Sequence, residues 1–203
     1  MTTTDELIPS GETSAYRSNP ERLSEFALSR REPQYVGRSK AMRQIERDRR
    51  AGKGLPEDVK AVYAALEKAG IQADPENTDV GSAIYANMPG DGSAREQAAS
   101  CQRVMGGSAN FARQYATKRY RSNCINWGMT PFLVEHPEVF GLGDYIFVPG
   151  IRRAVLENAA EITAYAIKPD GAVTPFPVTT GALTEPERQI IADGCLINYY
   201  RNH

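Results

Sequence analysis

The sequence predicts an α/β domain, and three features of the 203-residue chain support this prediction. After residue 80, short apolar runs with strand character alternate with segments whose apolar residues recur at helical spacing. Hydrophobic residues make up 41% of the chain and charged residues 24%, as in ordinary globular proteins, so wholesale disorder is excluded. No apolar run reaches the roughly 18 residues that cross a bilayer, and the polar N-terminus lacks a signal-peptide pattern. We therefore expect a soluble, cytoplasmic protein.

The first third of the chain is predicted to be helical after an N-terminal arm. Residues 1–18 are rich in Thr, Ser and Gly and are expected to form an extended arm or loop. Asn19-Pro20 is typical of a helix start, and Pro33 is expected to end that helix. The helices predicted in this region are 20–31, 39–50 and 56–68.

From residue 80 onwards, strands and helices are expected to alternate. A strand at 82–87 leads into the glycine turn 89–92 and a helix at 94–105. The later predicted strands are 109–113, 129–134, 144–148, 162–167 and 173–178, and the later helices are 115–127 and one that begins after Thr184 with capping-box spacing. The last two strands are predicted to form a hairpin that turns at Asp170-Gly171.

Basic residues are concentrated between positions 17 and 53, where eleven Lys and Arg face five Asp and Glu. Such a stretch is typical of a solvated helix face, and it could also attract nucleic acid or an acidic partner surface. Aromatic residues suited to base stacking are not interleaved with these cations, which disfavours nucleic-acid binding. The net charge of the whole chain is only −1.

The turn between the strand 82–87 and the following helix carries the most informative chemistry. Gly90 and Gly92 allow close backbone approach, and Ser93 is expected to lie at the helix N-terminus. Arg95 adds a planar cation suited to a carboxylate, so the turn is a candidate site for a carboxylic acid. The alternative is purely structural, because Ser93 and Glu96 have the spacing of a capping box.

The turn and several other motifs resemble the C-terminal swivel domain of the aconitase family. The motifs occur in the family's order: Thr-Thr-Thr-Asp at 2–5, Tyr16-Arg17, Gly-Ser-Ala-Arg-Glu at 92–96, Asn123 with Gly128 and Pro131, and Ala-Asp-Gly-Cys-Leu-Ile-Asn at 192–198. The resemblance implies one swivelling β/β/α three-layer domain over residues 1–203. It is weakest at about 29–79, where a helical insertion is expected.

The resemblance also implies roles for individual residues. Ser93 matches the serine whose alkoxide removes a proton from the carbon beside a substrate carboxylate, and such a base requires nearby positive charge. Arg17 and Arg95 match the arginines that bind substrate carboxylates. Asp5 and Gly92 match groups that support the active site.

Three residues depart from the family pattern. Ala94 takes the place of a second serine that contacts the substrate, so it remains a substrate-binding position but puts the identity of the acid in doubt. Glu6 and Gln97 each replace a histidine. The family holds a 4Fe-4S cluster with three cysteines, including a CxxC pair, in its larger catalytic domains. None of this chain's three cysteines has that spacing, so no metal ligand is expected here and the cluster is expected elsewhere.

These resemblances predict a part of a hydro-lyase, a hydratase or isomerase of a hydroxy di- or tricarboxylic acid. Its partner would be the cluster-bearing catalytic domains, either in the same longer chain or in a large subunit, as for the small subunit of isopropylmalate isomerase. The isolated chain is expected to be inactive. The alternative is a non-catalytic binding or RNA-regulatory module derived from the same fold.

Overall fold

The computed structural model describes residues 1–93 and 95–203 and shows a mixture of helices and strands, so the α/β prediction is confirmed. The helices are α1 Thr4–Leu7, α2 Pro20–Ser24, α3 Tyr35–Arg50, α4 Glu57–Lys68, α5 Gln97–Val104, α6 Lys118–Asn126, α7 Ile151–Leu156, α8 Glu185–Asp193 and α9 Leu196–Asn202. The strands are β1 Thr2–Thr3, β2 Ser82–Ala86, β3 Pro89–Asp91, β4 Gly107–Ala112, β5 Thr130–Leu133, β6 Tyr145–Phe147, β7 Ile162–Ile167 and β8 Val173–Val178.

The strands form two three-stranded sheets and one short pair. Strands β2, β4 and β5 are parallel in that order, with helices α5 and α6 as the connections between them, as expected for parallel strands. Strands β6, β7 and β8 form an antiparallel sheet whose β7–β8 hairpin matches the prediction in its bounds. The two sheets are joined where Leu133 and Thr179 exchange backbone hydrogen bonds of 2.7 and 3.0 Å. Strand β1 pairs in parallel with β3.

Two main apolar cores fix this arrangement. One lies between the sheets, where Phe111 of β4 stacks on Phe132 of β5 and both pack with Phe176 of β8. The other lies beneath α1, α2, α5 and α6, where Tyr120 and Cys124 are fully buried. The second core is directly below the turn that follows β3, so the candidate site rests on packed side chains.

The N-terminal arm prediction is wrong for the first residues, which form β1 and α1. Thr3 and Glu6 form a capping box, in which Thr3 Oγ1 accepts a hydrogen bond from the Glu6 N–H at 3.1 Å. The Thr3 N–H donates in return to Glu6 Oε2 at 2.7 Å. The pairing of β1 with β3 adds a tertiary contact that composition does not reveal.

Helix α2 starts as predicted but ends earlier. The Asn19 side chain accepts a hydrogen bond from the Arg22 N–H at 3.1 Å and so caps the helix. The helix ends at Ser24, seven residues before the predicted end at Arg31. Beyond it, Leu28 takes a left-handed conformation with a φ of 56°, and its N–H donates to the Leu7 carbonyl at 2.9 Å. The contact with α1 therefore replaces the last turns of the predicted helix.

The remaining differences are local. Helix α3 begins four residues before the predicted start, and α5 begins three residues after it. Helices α7 and α9 were not predicted, and Gly194, with a φ of 91°, separates α8 from α9. The predicted insertion at 29–79 contains α3 and α4, but its status as an insertion stays a prediction. Among the residues described, no helix is long and apolar enough to span a membrane.

Candidate functional site

The turn after β3 lies against the first residues of the chain. Parallel pairing places Thr3 opposite Asp91. The buried Thr4 hydroxyl donates to the Ser93 carbonyl at 2.8 Å. Two motifs that are separated by about ninety positions in the sequence are thereby adjacent in the fold.

An ion pair joins the two motifs at their charged residues. Arg95 Nη1 donates to Asp5 Oδ1 at 2.8 Å and to the Ile8 carbonyl at 3.3 Å. The Ser10 N–H and hydroxyl donate to the same Asp5 oxygen at 3.1 and 3.0 Å. Hydrogen bonds from Arg95 and then Ser10 hold the pKa of Asp5 well below its usual range. The carboxylate is therefore ionised at any physiological pH.

A second arginine, Arg30, binds the other oxygen of Asp5. Arg30 Nη1 donates to Asp5 Oδ2 at 2.6 Å, and Arg30 Nη2 donates to Glu12 Oε1 at 3.2 Å. In the sequence, Arg30 belongs to the basic stretch, and no motif links it to the site. No local pattern could have done so, because its contact with Asp5 spans 25 residues and depends on the turn at Leu28.

Ser93 is exposed, and the structure does not support its interpretation as a helix cap. The N-cap residue of α5 is Glu96, so Ser93 lies three residues before the cap. The Glu96 carboxylate accepts hydrogen bonds from the Ser100 hydroxyl at 3.1 Å and from the Trp127 indole N–H. The capping-box alternative and the placement of Ser93 at the helix N-terminus are therefore both wrong. The predicted substrate-binding position Ala94 lies outside the described residues.

Gly90, in β3, and Gly92, in the turn that follows, each have a φ of 89°, a conformation that residues with side chains rarely adopt. A Cβ atom at Gly90 would lie 2.4 Å from the Tyr120 side chain, so this position requires glycine for packing as well as for conformation. A Cβ atom at Gly92 would meet only Thr4 Oγ1, at 3.9 Å. Gly92 thus holds the turn open beside α1, next to Ser93.

Arg17 ends the short 3-10 turn Ser14–Tyr16 and is exposed. Its neighbour Tyr16 stacks on Phe26 with ring centroids 5.5 Å apart. Within residues 1–93 and 95–203, Arg17 makes no ion pair or hydrogen bond through its side chain. The structure therefore brings Asp5, Ser93 and Arg95 together, whereas it shows no polar contact between Arg17 and that group.

Two of the three cysteines of this chain, Cys101 and Cys124, do not fit an iron-sulfur cluster. Cys101 and Cys124 are buried, and burial raises the pKa of both thiols, to about 12 for Cys124. Cluster ligation requires thiolates, which these surroundings disfavour. The Asn110 amide also donates to Cys124 Sγ at 3.4 Å, so this sulfur belongs to a buried polar network. In the described part of the chain, no three His, Cys, Asp or Glu residues are grouped to hold a metal ion.

Most cations of the basic stretch have a carboxylate partner. The pairs are Arg22–Glu25, Arg30–Asp5, Arg31–Glu6, Arg38–Glu32, Lys40–Glu25, Arg43–Glu21, Arg49–Glu46, Arg50–Glu46 and Lys53–Asp48. Among the residues that the structure describes, the basic side chains of this stretch without such a partner are Arg17 and Arg47. The stretch is therefore largely neutralised by contacts within the chain.

The structure of 3-isopropylmalate dehydratase from Methanocaldococcus jannaschii is similar to that of this chain. The match has a TM-score of 0.58 and 21% sequence identity, and it covers 98% of this chain and 86% of the dehydratase chain. This chain has the fold of that dehydratase. The fold implied by the resemblance to the aconitase swivel domain is thus confirmed. No protein-family model and no curated protein matches the sequence.

Proposed function

We propose that this chain is the swivel domain of an aconitase-type hydro-lyase that acts on a hydroxy di- or tricarboxylic acid. The observation that carries the proposal is the Asp5–Arg95 ion pair, which joins two motifs of the predicted site across ninety positions of sequence. The fold shared with 3-isopropylmalate dehydratase supports the same class of enzyme. The cluster-bearing catalytic domains would belong to the same longer chain or to a large subunit.

Arg95 and Arg17 would bind carboxylates of the substrate. Arg95 donates to Asp5 and to the Ile8 carbonyl through Nη1. Among the described residues, Nη2 and Nε of Arg95 have no partner, so these two groups are available to a ligand. A planar guanidinium binds a carboxylate through two parallel hydrogen bonds. The exposed Arg17 would hold a second carboxylate when the domain closes over its partner. Two arginines that each bind one carboxylate suit acids that carry at least two carboxylates.

Ser93 would act as the base. Its alkoxide takes the proton from the carbon beside a bound carboxylate, and the electron pair of the broken C–H bond forms the double bond as the hydroxyl leaves the neighbouring carbon with its bonding electrons. The cluster of the catalytic domains would supply the Lewis acid that takes up this hydroxide. A serine hydroxyl is a very weak acid, so the alkoxide needs nearby positive charge. Since α5 begins only at Gln97, the guanidinium of Arg95 is the stronger candidate for this stabilisation than the helix N-terminus.

At position 94 the sequence has an alanine where the aconitase family has a serine hydroxyl. The loss of one hydrogen-bond donor leaves the carboxylates as the main groups recognised, through Arg95 and Arg17. An acid that lacks the group contacted by the second serine is therefore the better candidate substrate. The side chains of this turn would hold the acid, while none of the chain's cysteines would hold the cluster.

The RNA-regulatory alternative is disfavoured by the ion pairs of the basic stretch. Nonspecific affinity for nucleic acid comes from cations that replace the counterions of phosphates. Cations that already contact carboxylates, such as Arg43 with Glu21 and Lys40 with Glu25, contribute little to such binding. We therefore retain the enzyme as the proposed function.

The test is turnover by the full enzyme, with its cluster-bearing domains, on a panel of hydroxy di- and tricarboxylic acids. We expect Ser93→Ala to lower kcat by about 10³-fold with little change in KM, because a general base is lost while the arginines remain. Ser14→Ala, which removes another exposed serine hydroxyl, is the matched control and should leave kcat unchanged. Undiminished turnover by Ser93→Ala would refute the role of Ser93, and no turnover of any acid by the intact enzyme would refute the class.

The isolated chain provides a second test. It should bind no stoichiometric iron after reconstitution with iron and sulfide, because Cys101 and Cys124 are buried with raised pKa values. It should also show no turnover until it is combined with the catalytic domains. Activity of the isolated chain would contradict the proposed division of the enzyme.

A further inference from the structure

The contact between Asp5 and Arg95 involves one oxygen of the carboxylate and one nitrogen of the guanidinium group. Asp5 offers two oxygens, yet only Oδ1 accepts from Arg95, and only Nη1 of Arg95 donates. Carboxylates and guanidinium groups at such short distance commonly form a fork of two parallel hydrogen bonds. The single bond between these residues therefore requires an explanation.

Arg30 supplies that explanation. Its Nη1 donates to Asp5 Oδ2 at 2.6 Å, so the second oxygen of the carboxylate is already engaged. Arg30 itself is held at Nη2 by Glu12 Oε1, at 3.2 Å. The Asp5 carboxylate is consequently shared between two guanidinium groups, one on each oxygen.

The backbone around Leu28 brings Arg30 to this position. Leu28 is buried against α1 and has a left-handed conformation, which non-glycine residues adopt only when their surroundings require it. Its N–H donates to Leu7, and its carbonyl accepts from Arg31 and Glu32 at 2.9 and 2.8 Å. This tight turn returns the chain over Asp5. The next residue, Arg31, has its Nη1 atom 3.5 Å from Oε1 of Glu6, which lies on α1 beside Asp5.

We propose that Arg30 is a positioning residue of the site: by occupying Asp5 Oδ2, it limits the Asp5–Arg95 contact to one hydrogen bond and leaves Nη2 and Nε of Arg95 for a carboxylate ligand. This inference rests on the proposed function, in which Arg95 binds the substrate. Without Arg30, Oδ2 turns towards Arg95 and forms the second bond of the fork. Asp5 then cancels the charge of Arg95 and competes with the ligand.

The experiment compares four variants of the full enzyme by titration calorimetry with citrate as the probe. We expect Arg30→Gln to raise the Kd of citrate about tenfold, the effect of losing one charge-assisted contact. Arg31→Gln, which removes the same charge one residue away without touching Asp5, is the matched control and should change the Kd less than about twofold. The double variant Asp5→Asn/Arg30→Gln should regain most of the affinity, because the competing carboxylate is gone, and Asp5→Asn alone supplies the fourth corner of the cycle.

Crystal structures of the wild-type and Arg30→Gln chains test the same inference without a ligand. The variant should show two hydrogen bonds between Arg95 and Asp5 in place of one. A single bond in the variant, an unchanged Kd, or a double variant as weak as Arg30→Gln would each overturn the positioning role. If the wild-type enzyme binds no citrate, the titrations use the acid that the turnover panel identifies; if it binds no acid of that panel, the proposed function is refuted, and the crystal structures alone decide the role of Arg30.

Discussion

The basic stretch at 17–53 and the turn at 89–96 both contain arginines, but the two regions use them differently. In the basic stretch, nearly every cation contacts a carboxylate, and Glu46 alone binds both Arg49 and Arg50. At the turn, Arg95 has one carboxylate contact and two further nitrogen groups with no partner among the described residues. The number of cations in a segment is therefore a poor guide to the positive charge that a ligand can reach, because most of these cations are paired within the chain.

Within the basic stretch, Arg17 differs in the same way from the cations that are paired. It is exposed and has no ion pair in the described part of the chain, although its neighbours in sequence include many paired cations. The family resemblance assigns Arg17 to the substrate site, and its lack of a partner is consistent with that proposal. Arg47 has the same exposure and charge but lies on α3, outside the motifs. These two residues therefore form a natural pair for comparison.

The largest effect is expected from Arg95. Arg95→Gln in the full enzyme should raise the Kd of citrate about a hundredfold, because two charge-assisted hydrogen bonds to a carboxylate are lost. Arg43→Gln removes an equally charged side chain that binds Glu21 at 2.7 Å, and it should leave citrate binding unchanged. Equal losses in both variants, measured by titration calorimetry, would break the distinction between Arg95, which contacts its carboxylate through Nη1 alone, and Arg43, whose two Nη atoms both contact Glu21.

The ion pairs of the basic stretch should instead contribute to the free energy of unfolding. Burial raises the pKa of Glu46, but hydrogen bonds from Arg49, the Val80 N–H and Arg50 outweigh it and lower the pKa to about 2. The contribution of a carboxylate with a lowered pKa is fully present above its unfolded value, near 4.5, and is lost as the pH falls towards 2.

Glu46→Gln should therefore lower the free energy of unfolding by about 2 kcal/mol at pH 7, and the difference from wild type should shrink between pH 4.5 and 2. Urea denaturation across this pH range measures the free energy of unfolding of both proteins. Glu57→Gln is the control, since Glu57 is exposed and its one ion pair among the described residues is with Lys60, and the substitution should cost less than about 0.5 kcal/mol. A difference between Glu46→Gln and wild type that does not depend on pH would contradict the role of the ionised carboxylate.

A smaller effect on citrate affinity is expected from substituting Arg17 and Arg47, the cations of the basic stretch without a carboxylate partner among the described residues. Arg17→Gln should raise the Kd of citrate about tenfold and leave the melting temperature unchanged, because the proposed function gives this side chain a carboxylate ligand and it has no ion-pair partner among the described residues. Arg47→Gln should change neither quantity. An equal loss of citrate affinity in Arg47→Gln would show that Arg17 acts only through long-range charge.

The smallest effect is expected for the binding of RNA. Fluorescence anisotropy with a labelled single-stranded RNA should show no binding at 50 mM salt, and Arg43→Gln should not alter that result, since the basic stretch is neutralised within the chain. Binding that weakens steeply with salt and maps to α3 would reverse this conclusion. It would also favour the regulatory module over the enzyme.

Elements with local signals are predictable from the sequence alone. The Asn19 cap, the Thr184 capping box and the hairpin turn at Asp170-Gly171 all occur where predicted. Each depends on hydrogen bonds or backbone conformations within a few residues, so neighbouring side chains suffice to specify it. The motifs that suggested the site are also readable from the sequence, because each lies within a short segment.

The tertiary structure alone decided how those segments meet. The left-handed Leu28, the early end of α2 and the position of Arg30 over Asp5 depend on contacts between α1 and residues 28–32. The Asp5–Arg95 pair joins residues ninety positions apart, and the start of α5 moved Ser93 away from the helix end that its spacing had suggested. Contacts over such separations depend on the packing of the whole chain, and no local pattern encodes them.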